Sequence, residues 1–323
     1  MKLYYTVIFL WFSYCALSQT PRIALVKPDG TTTIYSTIQA AYDASADDDY
    51  IYLPGGVVDG LSINKKIHII GAGFNQDSSQ VTRSTKISSF LIYPSAAGGS
   101  IEGIHFWNNC VFTGVGTIDG FEIRKCKFDG TLNFESTTIN IVAKHNQFST
   151  INGALTNSFF YNNVHIGTFS IGGYCEFKNS LFFNHNFSNN YNLPQNSIYK
   201  NNIFNSVNST TCHFSYFYNN VNMLASGQQN EIYENISEQF NLIFENPGAG
   251  PPYIYDVHND YQVKSTSACK NSGTDGTDRG IYGGTYPWVE GSIPSNPHIY
   301  FKQVAEETNA NGQLQIHFKV RTN

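Results

Sequence analysis

Charge is scarce in this chain. Lys and Arg number 19 and Asp and Glu 24, so charged residues are 13% of 323 positions, about half the usual share for a soluble domain. The net charge of -5 comes without any block of basic residues, which argues against a nucleic-acid partner. Long apolar runs are missing after the first 18 residues, so nothing there is long enough to form a membrane-spanning helix. Five cysteines lie beyond that segment: Cys110, Cys126, Cys175, Cys212 and Cys269. An odd count at wide spacing defines no disulfide framework and favours buried thiols. Histidines such as His165, His185 and His213 show no ligand spacing with acids or cysteines, which argues against zinc.

What is abundant is asparagine, at 35 residues, with 41% hydrophobic and 15% aromatic content. Asn suits turns and left-handed backbone positions and is poor inside helices and strands. The composition therefore implies many short strands joined by many turns. At the start, Lys2, the apolar run Leu3 to Leu17 and Ala16-Leu17-Ser18 have the form of an export signal cleaved before Gln19. This predicts a signal peptide over 1–18 and a secreted or cell-surface location. Residues 19–290 then read as one domain with an N-terminal cap about 30–50, and 291–323 as a linker and a strand pair.

From residue 104 onward the motif apolar-x-apolar-x-x-Asn recurs. It appears as Ile104-His-Phe106-Trp-Asn-Asn109 and Ile141-Val-Ala143-Lys-His-Asn146. It returns ending at Asn162, Asn184, Asn201 and Asn219, with Cys126 in the Asn place of Phe121-Glu-Ile123-Arg-Lys-Cys126. A unit of 16 to 22 residues is too short for a strand plus a helix, and fits a coil of strands and turns. Stacked coils place equivalent residues in ladders about 4.8 Å apart. The key asparagines are expected at left-handed corners, bonding to neighbouring coils.

Alternation along a strand then sorts the columns. Phe106, Ile123, Ala143, Phe159, Leu181, Ile198 and Tyr216, three positions before each key residue, are expected to face the core. The next column, Trp107, Arg124, Lys144, Phe160, Phe182, Tyr199 and Phe217, is expected to face outward. Five aromatics and two bases in a line would suit stacking against sugar rings, so this column is the candidate binding site and a polysaccharide or cell-surface glycan the expected partner.

The ends carry a more specific likeness. An Ile38-Gln-Ala-Ala41 helix that would cap the first coil, an acidic stretch, Ile51-Tyr-Leu-Pro-Gly-Gly56 and Lys65-Lys-Ile-His-Ile-Ile-Gly-Ala-Gly73 resemble the entry to pectate-lyase-like (pectin lyase-like) domains. Cys269 to Gly284, with Asp275-Gly276-Thr-Asp278, resembles the closing rung of secreted bacterial members. The resemblance implies an all-β fold, a right-handed parallel β-helix solenoid, over about residues 30–290. It fixes activity poorly, because that superfamily includes lyases, hydrolases, adhesins and proteins without assigned roles. The reading drawn from it is a carbohydrate-interacting β-helix, binding or structural in nature. The alternative is a polysaccharide lyase acting on an acidic chain by β-elimination. It would use Arg124, Lys125, Lys144 or His145 as base and neutraliser, with Ca²⁺ as a cofactor if it is a lyase. A third is an adhesin-like spacer that binds protein. The carboxylate pairs a hydrolase needs are missing from the rungs.

Overall fold

The structure, a computed structural model, describes residues 22–77, 81–183, 193–294 and 298–321. The expected signal peptide over 1–18, and Asn184, lie outside the described residues. The chain forms a parallel β-solenoid of about 9 turns, built on a twelve-stranded and a fourteen-stranded sheet. Most strands are three or four residues long. A rung must turn a corner soon after each strand starts, and residues with positive φ supply the corners.

Two columns of such corners flank the twelve-stranded sheet. Gly120, Asn140, Asn157, Asn196, Phe214 and Gln229 precede its strands, and Gly103, Lys125, His145, Asn162, Asn179, Asn201, Asn219 and Glu234 follow them, all with positive φ. Asn adopts this backbone more readily than most side-chain-bearing residues, which accounts for the seven asparagines in these two columns.

Inside, equivalent residues pile up ring on ring. One column of the fourteen-stranded sheet runs Phe106, Phe128, Phe148, His165, Phe182 and Phe204. Neighbouring rings in it stack 4.4 to 5.5 Å apart. The matching column of the twelve-stranded sheet runs Ile51, Ile69, Ile101, Ile123, Ala143, Phe160, Phe177, Tyr199 and Phe217, all fully buried.

The residue after each second corner builds a polar ladder through this apolar interior. Asn146 accepts from the Cys126 amide, Asn163 from Asn146, Ser180 from Asn163, Asn202 from Ser180, Asn220 from Asn202 and Asn235 from Asn220. The asparagine amides donate back to carbonyls one rung earlier, as from Asn163 to Ala143 and from Asn220 to Tyr199. Each such contact satisfies a buried backbone group that a corner would otherwise orphan.

The N-terminal end is closed. Ile23–Val26 pairs antiparallel with Thr32–Tyr35 and with Tyr50–Tyr52. The helix Ile38–Ala44, capped by Thr37, buries Ile38, Ala41 and Tyr42 against the first coil. The capping helix is where the sequence places it; the strands before it are an addition. The five cysteines are free and buried, as their spacing implied.

After Ile236 the chain folds back along the outside of the solenoid as a strap. Phe240, Phe244, Tyr261, Val263, Ile281 and Trp288 form a second apolar cluster with Val164, Leu181, Ile203 and Val221 of the fourteen-stranded sheet. The asparagines at the second column of corners bond to the strap in reverse order: Asn219 to Ser272, Asn201 to Thr274, Asn179 to Asp278 and Gly280, Asn162 to Ile281 and Gly283. His298–Val304 and Ile316–Arg321 then form an antiparallel strand pair, as the alternating pattern predicts.

Candidate functional site

The expected aromatic stripe is not on the surface. Phe160, Phe182, Tyr199 and Phe217 are fully buried, stacked in the core columns; Phe160, Phe177, Tyr199 and Phe217 lie 4.9 to 5.2 Å apart in one parallel pile. Conversely Phe159 and Ile198, expected inside, are only half-buried, and Tyr216 is exposed. The cause is a one-residue slip. In Asn162-Asn163, Asn201-Asn202 and Asn219-Asn220 the first residue is the corner and the second carries the ladder, so the partner of Asn146 is Asn163. A shift of one residue moves every side chain to the other face. The segments around Trp107 and Phe182 also belong to the other sheet.

The candidate lyase bases are brought together as expected. Arg124 and Lys144 are register partners on adjacent rungs, and Lys125 and His145 occupy successive corners. Each is already engaged. Arg124 donates to Glu102 at 3.2 Å and to Glu122, and Lys125 lies 3.5 Å from the nearly buried Glu102. Lys144 sits 3.8 Å over the Tyr286 ring. His145 bonds to the Tyr286 carbonyl at 2.8 Å and meets Trp288 edge-on. Burial pushes the pKa values of both Lys125 and His145 down. The strap covers this corner, and the cluster ties strap to solenoid. Asp275 and Asp278 likewise hold turns and bind Lys178 and Lys270. Among the described residues no group of three or more His, Cys, Asp or Glu could hold a metal ion.

Trp107 alone among the five predicted aromatics reaches solvent, 37% exposed. It follows the strand Ile104–Phe106, whose outward residue His105 lies between Lys86 and Lys127 on the adjacent rungs. Asp129, next to Trp107 by the same register, binds His105 Nε2 at 2.6 Å and Lys127 at 3.2 Å. Burial pulls the pKa of His105 down, with Asp129 opposing, so the ring is neutral at neutral pH. Burial would raise the pKa of Asp129, but His105 and Lys127 outweigh it and bring it below the usual value. The result is an aromatic side chain beside two ammonium groups, an imidazole and a carboxylate on one open face. Of this group the sequence alone points only to Trp107. His105 and Asp129 are 24 positions apart, and their pairing becomes visible only once the strands Ile104–Phe106 and Lys127–Ile139 are known to be neighbours.

A second outward line runs along the twelve-stranded sheet: Lys144, Tyr161, Lys178, Lys200, Tyr218 and Tyr233. It is the true neighbour of the buried aromatic column, and from Tyr161 onward the slip hid it. Tyr161 stacks on Tyr286, and Lys178 pairs with Asp275, so the strap shields its middle. Lys200, Tyr218 and Tyr233 remain toward the far end.

No family model, no curated protein and no solved structure matches this chain. Among the described residues no helix is long and apolar enough to cross a membrane.

Proposed function

We propose that the protein is a secreted or cell-surface β-helix that binds carbohydrate, with Trp107 as the platform. The observation that carries this reading is the open Trp107 side chain beside His105, Asp129, Lys86 and Lys127. Sugar rings offer a C–H face and a rim of hydroxyls, and an indole with charged donors and acceptors beside it matches both. The likeness to pectate-lyase-like entry and closing motifs agrees with a polysaccharide ligand, and the N-terminal signal with an extracellular one. A second reading, β-elimination on an acidic polysaccharide, draws on the same patch: His105, neutral and oriented by Asp129, has the form of a general base, with Lys86 and Lys127 to offset a carboxylate.

Calorimetric titration with a panel of neutral and acidic polysaccharides tests the proposal. Trp107→Ala is expected to weaken binding about tenfold or more with an unchanged melting temperature, the size of losing one well-packed aromatic anchor. Undiminished binding by Trp107→Ala, or no binding to any member of the panel, would overturn it. Unsaturated-product absorbance that appears with an acidic polysaccharide and vanishes in His105→Ala would select the elimination reading.

A further inference from the structure

The two ends of the solenoid are finished differently. A helix and an antiparallel strand close the N-terminal end. At the other end Glu231–Tyr233 is the outermost strand of its sheet, and all three residues are exposed. Ile232 continues the core column of Phe160, Phe177, Tyr199 and Phe217, yet it is 50% exposed. The asparagine ladder stops on the same rung. Asn235 Oδ1 accepts from the Asn220 amide, while its Nδ2, shielded from solvent, has no partner. Sheet, core column and ladder all end one rung short.

The same chain carries a strand pair without a cover. His298–Val304 and Ile316–Arg321 leave Ile299, Phe301, Val304, Ile316, Phe318 and Val320 exposed. This pair departs from the strap after Pro294, which packs on Gly103 beside the strand Ser100–Glu102. Glu231–Tyr233 lies seven strands further along the sheet, about 34 Å away at the usual strand spacing. The charges are complementary. Between Lys200 and Lys264 the chain has no Lys or Arg, but it has Glu231, Glu234 and Glu238 around the last rung. The two strands of the pair carry Lys302, Lys319 and Arg321 and no acid; Glu306 and Glu307 lie in the connection between them.

We propose that the open last rung takes a second copy of this chain, the strand pair of one molecule seating on the Glu231–Tyr233 edge of the next. An exposed edge accepts an added strand by backbone hydrogen bonding. A contact between two different patches on each copy does not close on itself, so it yields head-to-tail chains of solenoids. Glu231 and Lys319 are then the groups whose attraction sets the pairing.

Sedimentation velocity on the full chain over a range of concentrations tests this. The expected mass grows with concentration without reaching a plateau and falls as salt is raised. Ile232→Lys and Phe318→Ser each are expected to lower association about tenfold or more, with unchanged melting temperatures because both side chains are at the surface. An equimolar mixture of the two is expected to give a 1:1 dimer that grows no further, since each variant retains one intact patch. Glu231→Lys with Lys319→Glu in one chain is expected to associate better than either change alone. A monomer at every concentration, oligomers that survive both single changes, or a mixture that stays monomeric would each overturn the proposal.

Discussion

His165 stands between Phe148 and Phe182 in the inner column of the fourteen-stranded sheet, with neither ring nitrogen hydrogen-bonded. Burial pulls its pKa down to about 3 from 6.5. The unfolded chain takes up a proton below pH 6.5 that the native state refuses. The stability this residue permits is complete above pH 6.5 and is lost as pH falls toward 3. His165→Phe, which extends the run of phenylalanines, is expected to flatten the decline of melting temperature between pH 6.5 and 4. It should also stabilise the protein at pH 7 by about 1–3 kcal/mol, the cost of an unsatisfied buried donor. An unchanged pH profile by circular dichroism would contradict the assignment. The asparagine pairs divide similarly at this scale. Asn163→Ala removes the acceptor for the Asn146 amide and the donor to Ala143, an expected loss of about 2–4 kcal/mol. Asn162→Gly keeps a backbone suited to φ 54° and gives up only its strap contacts, so urea denaturation should show a clearly smaller loss.

The strap is the element whose attachment is most testable. The Arg279 guanidinium, almost fully buried, donates to the Ser272, Asn220 and Glu234 carbonyls. It joins the strap to the last two rungs. Arg279→Met is expected to raise the rate of proteolysis within residues 264–288 about tenfold, as local opening becomes about 1.4 kcal/mol easier. Equal cleavage rates would show that the apolar cluster around Trp288 and Tyr261 holds the strap alone. The strap also explains what was hidden from the sequence. The Asp275-to-Gly284 turns were visible as a closing motif. Nothing in their residues indicates that they run back along Asn219, Asn201, Asn179 and Asn162 and cover Lys125 and His145. Long-range antiparallel return has no local periodicity to betray it, whereas strand, corner and capping helix are written locally in Asn, Gly and the alternation of apolar side chains.

At the scale of the whole molecule, the repeat was legible and its phase was not. Cys126, Asn146, Asn162, Asn201 and Asn219 do each mark a rung, while the rung between Asn162 and Asn201 turns at Asn179 and not at Asn184. The doublets Asn162-Asn163 and Asn219-Asn220 left the choice between corner and ladder open by one residue, and that residue decides whether Phe160 and Tyr199 are core or surface. That ambiguity, with the placement of the Trp107 and Phe182 segments on the other sheet, left only Trp107 of the predicted aromatics on the outside, next to a histidine–aspartate pair that needed the register to be seen. The central claim is therefore the stacking register itself. Glu122 and Tyr216 are outward members of one column, on the strands Glu122–Arg124 and Tyr216–Tyr218, five strands apart. The native thiols suit the test, because Cys110, Cys126, Cys175, Cys212 and Cys269 are buried and burial pushes their pKa values up. With Cys15 replaced by Ser, nitroxides placed at Glu122→Cys and Tyr216→Cys are measured by double electron–electron resonance. The account predicts a narrow distribution near about 24 Å, five strand spacings. A broad distribution, or a mean beyond about 35 Å, would contradict the solenoid register and the site assignments built on it.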